Sequence, residues 1–264
     1  MRKTSLRRLV INAASALSLS FVALSASAAM SAQDMIAASD DIRNPPGSFS
    51  LRFNITEYRH GKQTNHSTMA VYSSPSESNG DYRTLVRILT PTRDAGKLFL
   101  RNGYDLWFYD PASSASIRIS PQQRLLGQAS NGDVMSTRLA RNYTAETKGS
   151  DEVRDGDGVM RKTKRLLLVA QRPDVAYARV EYWLENDTNR PVMAKYYTAE
   201  NHLLKTAWFR RFISALGAER PTETVIIDGL DPQWVTVMQL SNYAQQKIPE
   251  QWLQRDYLSR FTGE

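Results

Sequence analysis

Three histidines are the first residues to weigh for chemistry: His60, His66 and His202. His60 and His66 flank a hairpin turn, and in a chain without cysteine they need carboxylates to complete a zinc site. No Asp or Glu stands at a supporting spacing nearby, so they read as exposed hairpin residues. The acidic run DEVRDGDG, residues 151–158, has the look of a calcium loop. It places Val159 where an oxygen is required, and no Glu follows at the closing distance. A tight polar hairpin tip is the better reading. No G-x-S-x-G turn exists to expose a serine nucleophile. No catalytic residue, metal site or cofactor is expected, and the chain is not read as an enzyme.

One basic and aromatic stretch, KTAWFRRFISALG at residues 205–217, could instead do its chemistry at a membrane. On a helix, Trp208, Phe212 and Leu216 share a side, with Lys205 and Arg211 elsewhere, a basic amphipathic pattern. On a strand, Leu204, Thr206, Trp208, Arg210 and Phe212 form one face. Leu203, Lys205, Ala207, Phe209 and Arg211 form the other. The β-branched and aromatic company favours the strand.

The elements that must position such residues begin behind an export signal. MRKTSLRR is basic, residues 9–24 are apolar, and Ala26-Ser27-Ala28 has the small-x-small form cut by signal peptidase. The expectation is a signal peptide at 1–28, removed after Ala28, and a mature periplasmic chain at 29–264. With no later apolar span and no lipid-bearing Cys, the chain is not expected to span a membrane. The formal charge of +7 comes from 34 Lys and Arg against 27 Asp and Glu. Four bases leave with the leader, so 30 remain against 27, or +3. That is no footprint for nucleic acid. No linker or 20–50-residue repeat divides the chain, so one domain is expected.

That domain is β-rich. SAQDMIAASDDIRNP, residues 31–45, permits one short helix stopped by Pro45-Pro46. Phe49, Leu51, Phe53 and Ile55 then alternate with Ser50, Arg52, Asn54 and Thr56, the mark of a half-buried strand. Five more runs follow up to residue 120, and six more lie between residues 161 and 243, with turn residues between them. PEQWLQRDYLSRF, residues 249–261, reads as a short helix or a tail docked on the sheet. About a dozen antiparallel strands, some ten or eleven in one sheet with helices on one face, exceed the roughly ten that lie flat without curling. YDLWFYD, residues 104–110, is apolar on both faces, with Leu106 and Phe108 on one and Trp107 and Tyr109 on the other. RLLLV offers no polar face. Doubly apolar strands need a cover on each side or a cavity on one. An internal apolar cavity is the economical solution, with Phe49, Leu51, Phe53, Ile55, Leu106 and Phe108 as its ligand-binding wall.

Between the two blocks of strands, RLLGQASNGDVMSTRLARNYT, residues 124–144, breaks the pattern. It opens on Leu125-Leu126, turns at Gly127 and at Asn131-Gly132, and becomes a short helical segment. From the residues alone it is either a long surface loop or a mobile cover.

RISPQQRLLGQASNGDV (118–134), with FLRNGYDLWFYDP (99–111), NHLLKTAWF, RPTETVIIDGLDP and IPEQWLQRDYL, resembles the periplasmic outer-membrane lipoprotein-sorting family. It is similar to the LolA-like branch found beside exporters rather than to LolA itself, from about Phe49 to Phe261. The resemblance implies an unclosed half-barrel whose apolar cavity lies under a helical lid. Residues 124–144 are then the lid, with Leu125 and Leu126 over the cavity and Gly127 and Gly132 as hinges. The implied function is a periplasmic carrier that shields lipid acyl chains or lipoprotein cargo during transfer toward the outer membrane, with an inner-membrane transporter as partner. The alternative is an accessory or lipid-sensing module of an envelope transporter that handles a non-lipoprotein lipid. No residue matches the features by which LolA engages its release complex or acceptor, so partner identity does not carry over. Burying one sixteen-carbon chain is worth on the order of 12 kcal/mol. Three fully buried chains would pass the practical ceiling near 20 kcal/mol, so incomplete burial or a strained lid is expected.

Overall fold

Alternation sets the first strand: Phe49, Leu51, Phe53 and Ile55 are all buried, and the residues between them are wholly or partly exposed. The structure is a computed structural model that describes residues 30–77 and 80–263. The expected signal peptide lies outside the described residues. Helix α1 (Ala32–Arg43) comes first, and its N-cap Ser31 accepts a hydrogen bond from the Asp34 N–H.

In chain order the strands are β1 (Phe49–Arg59), β2 (Lys62–Pro75), β3 (Tyr82–Thr90), β4 (Leu98–Asn102), β5 (Asp105–Asp110) and β6 (Ala115–Arg118). Next come β7 (Arg124–Leu126), β8 (Ala129–Ser130), the single-turn helix α2 (Leu139–Asn142) and β9 (Tyr143–Arg154). Then follow β10 (Met160–Ala170), β11 (Arg179–Glu185), β12 (Pro191–Tyr197), β13 (Leu203–Ala215), β14 (Ala218–Asp228) and β15 (Trp234–Gln245). Among the described residues, thirteen strands form one antiparallel sheet in the order β6-β5-β4-β3-β2-β1-β15-β14-β13-β12-β11-β10-β9, while β7 and β8 pair separately. The edges β6 and β9 do not pair, so the sheet is not closed into a barrel.

The sheet is bent all the same. Leu106 of β5 and Val180 of β11 line one cavity, though nine strand-to-strand steps separate them. Laid flat at roughly 4.8 Å per step, they would stand some 43 Å apart. One local cause is the bulge where β15 slips against β1 between Ser50 and Arg52, at Asn242, whose φ is 55°. Two-residue turns with both φ positive, His60-Gly61 and Leu216-Gly217, close the β1–β2 and β13–β14 hairpins with the matching twist.

Two expectations need correction. The main sheet has thirteen strands rather than ten or eleven; twelve correspond to the twelve runs read from the sequence, and the one without such a run is β9. It is polar or small along most of its length and largely exposed, so it shows no apolar alternation; as an edge strand it needs none. Helical turns lie on both faces rather than one. Helix α1 packs on the inner, cavity face, while the C-terminal 3-10 turns Glu250–Leu253 and Arg255–Arg260 pack on the outer one. There Leu253 and Leu258 cover Leu85, Leu98, Leu100 and Tyr109. That tail also covers the second apolar face of residues 104–110: Trp107 joins the outer cluster and is stacked by Arg255 at 4.1 Å. The outer face of that stretch is therefore covered by the chain itself, not by a cavity. Residues 205–215 are strand, with Lys205, Ala207 and Phe209 buried on one face.

Candidate functional site

The inner face of the sheet, residues 132–137 and the loop at 175–177 enclose a cavity of about 170 Å³. Its sheet wall takes Phe49, Leu51 and Phe53 from β1, Leu106 from β5, Ala207 and Phe209 from β13, Ile226 from β14 and Met238 from β15. Four of the six residues named from sequence thus stand at the wall. Ile55 is fully buried in the surrounding cluster, and Phe108 packs against that cluster beside Phe99, with ring centroids 5.1 Å apart. Both lie on the same sheet face, beside the wall rather than in it. The β13–β15 part of the wall was not singled out, although the alternation of Lys205, Ala207 and Phe209 already placed them together.

Of residues 124–144, the part from Gly132 to Tyr143 borders the cavity and roofs it, while Leu125 and Leu126 are not in its lining. Leu125 and Leu126 are half-buried on the core cluster, β7 and β8 make a small ribbon about Gly127, and Gly132 borders the cavity. Gly127 has φ 56°, a left-handed turn, and a Cβ there would collide with the Thr236 hydroxyl. Gly132 is required by closeness instead: a Cβ would stand 2.8 Å from that of Ala176 and 3.2 Å from the Pro121 carbonyl.

The roof is tied down rather than loose, contrary to what its small residues suggest. Gln128, Ala129, Ser130, Asn131, Val134 and Met135 are buried. The Gln128 N–H donates to Thr236 at 2.8 Å, Ser136 and Ser73 hydroxyls meet at 2.8 Å, and Asn44 donates to the Thr137 carbonyl at 3.0 Å. At the centre Asp133 accepts from the Ser130 N–H (2.7 Å), the Tyr177 hydroxyl (2.8 Å) and the Lys205 ammonium (2.5 Å). Lys205 also donates to the Gln128 carbonyl and lies 4.9 Å and 5.3 Å from the ring centroids of Tyr177 and Tyr196. Burial lowers the Lys205 pKa, and the Asp133 carboxylate opposes that shift. Burial pushes the phenols of Tyr177 and Tyr196 well above their ordinary value, so they stay neutral.

Chemically this is an apolar chamber with a few fixed polar groups, the form of a binding site for a largely apolar ligand. His60, His66 and His202 are exposed and stand away from its wall. Among the described residues no cluster of three or more His, Cys, Asp or Glu is placed to hold a metal, and no helix is long and apolar enough to cross a membrane.

Comparison with known proteins agrees with this architecture. A family model described as "Uncharacterized protein" matches residues 80–260. The fold is similar to that of a LolA superfamily protein from Nitrosomonas europaea, at 28% identity and TM-score 0.77, over 87% of this chain and 100% of that one. A putative outer membrane lipoprotein-sorting protein domain from Vibrio parahaemolyticus superimposes at TM-score 0.72 with 17% identity, over 87% and 98% of the two chains. A DUF1329 family protein from Desulfovibrio piger does so at TM-score 0.72 with 22% identity, over 86% and 97%. Among curated proteins none matches the chain in sequence. With more than half its length matched by the family model, the chain belongs to that model's family, and its fold is that of the LolA superfamily.

Proposed function

We propose that this protein is a periplasmic carrier that shelters lipid acyl chains on the inner face of its sheet during transfer toward the outer membrane, receiving them from an inner-membrane transporter. The observation that carries the reading is an apolar cavity roofed by a segment held through polar bonds. Its polar bonds can be exchanged for water when the roof lifts, while its apolar contacts, Ala129, Val134 and Met135 on the core cluster, cost roughly 25 cal/mol per Å² exposed. The cavity of about 170 Å³ is close in size to an apolar void that admits benzene and smaller than the roughly 300 Å³ at which ligand pockets begin. A sixteen-carbon chain therefore enters only if residues 124–144 move, and the cost of that movement offsets part of the gain from burial. This keeps the load releasable.

Ala207 sits on the wall, 1% exposed, with a side chain small enough to leave the chamber open. Ala207→Phe should fill part of it. Uptake of a fluorescent sixteen-carbon fatty acid, measured without detergent, should fall at least tenfold, while the melting temperature holds or rises. Wild-type uptake by a folded Ala207→Phe variant would exclude this chamber as the carrier site.

A further inference from the structure

The polar groups of the chamber are not equally satisfied. Two arginines, one lysine and one aspartate line it: Arg43, Arg101, Lys205 and Asp133. Lys205 is paired with Asp133. Arg101 donates to Asp81 at 2.6 Å and to the carbonyls of Tyr82 and Ser136 at 3.3 Å. Arg220, buried beside the end of α1, gives its donors to four backbone carbonyls.

Arg43 is different. It carries five N–H donors on a side chain that is a quarter exposed; Asp40 Oδ1 lies at 3.5 Å, the outer limit of a hydrogen bond, and the Tyr182 hydroxyl also faces it. Asp40 is itself engaged, its other oxygen accepting from the Ala140 N–H at 2.8 Å. The Tyr182 hydroxyl is buried and faces Arg43 and Ser39. A guanidinium that borders an apolar chamber and is not fully engaged by its neighbours has donors to offer a ligand's acceptors. The fork of a guanidinium matches the paired oxygens of a carboxylate or phosphate.

We infer that the cargo is an acidic amphiphile, a single alkyl chain bearing a carboxylate or phosphate group, and that Arg43 holds the anionic end while the chain lies along Phe49, Leu51 and Phe53. This rests on the carrier reading and narrows it, since a fully esterified neutral lipid offers Arg43 only uncharged carbonyl acceptors. The low-dielectric surroundings make such a pair selective for anions over neutral heads.

The test uses three probes of one chain length below their micellar concentrations: palmitate, hexadecyl phosphate and hexadecanol. Each displaces a neutral fluorescent reporter, N-phenyl-1-naphthylamine, from detergent-free protein. At least one acid should displace it at a concentration tenfold or more below that of the alcohol, and which acid is better separates carboxylate from phosphate. In Arg43→Met the three should fall within threefold of one another. Asp40→Asn, which frees Arg43 of its carboxylate, should widen the preference severalfold. Equal displacement by all three in the wild type overturns the inference and leaves the carrier reading standing. So does a tenfold preference that survives in folded Arg43→Met, or one unchanged in Asp40→Asn. Displacement by none of the three overturns both.

Discussion

Asp40 shows how one residue's surroundings set a measurable property. It ends its side chain fully buried under α1, and burial pushes its pKa from the usual 3.8 up to about 6, against the pull of Arg43 and the amides of Ala140 and Leu139. The folded chain thus keeps the proton up to about pH 6, and the unfolded chain only to about 3.8. Within that window the folded state holds more protons, so this group makes stability fall as pH rises, opposite to a salt-bridged carboxylate. A shift of about two units corresponds to roughly 3 kcal/mol. Asp40→Asn lacks the titration. Urea unfolding at pH 4 and pH 7.5 should show the variant gaining on the wild type by up to about 3 kcal/mol at the higher pH; an unchanged difference would mean that Asp40 is not held up. Asp40 and Arg43 were not legible in the sequence, because a polar pair at i and i+3 near a helix end is ordinarily exposed. Only the packing of residues 137–142 over α1 buries it. Phe49, Leu51 and Phe53 were legible, since a period of two fixes a face whatever lies opposite.

At the scale of the element, the proposed carrier asks two things of residues 124–144. They would seal the chamber and also leave it, and the sequence shows the second more plainly than the first. Its glycines and small residues read as looseness, while the bonds that close it come from distant partners, Lys205, Thr236 and Ser73, whose reach no local pattern reveals. Lys205→Met should cost about 3–5 kcal/mol in urea unfolding, because it leaves Asp133 buried without its cation. Adding Asp133→Asn should recover much of that loss. A double variant no better than the single one would mean the pair does not act as a unit. Movement can be tested by restraint. The Ser73 and Ser136 hydroxyls meet at 2.8 Å, and the chain has no native cysteine. A Ser73→Cys/Ser136→Cys variant should lose lipid uptake when oxidised and regain it when reduced. Equal uptake in the two states would leave the roof as a fixed loop.

At the scale of the whole molecule, a sheet of thirteen strands must cover two faces, and it covers them differently. The outer face near β3–β5 is closed by the C-terminal turns, where Leu253 is fully buried. Leu253→Ala should cost about 2–5 kcal/mol, read by urea unfolding, without changing lipid selectivity. The inner face is left with a chamber. Fold class and the existence of a covered apolar face were legible because strand alternation and doubly apolar runs are properties of the sequence itself. Edge strand β9 was not, since an edge on a solvent-facing margin carries no apolar signature. The central claim, that the inner face holds acyl chains, is tested most directly by native mass spectrometry of the protein purified without detergent and incubated with phospholipid vesicles and fatty acid. A carrier should show a discrete added mass of one lipid, lost on organic extraction and absent from Ala207→Phe. A spectrum of bare protein alone, or an adduct retained equally by Ala207→Phe, would contradict it.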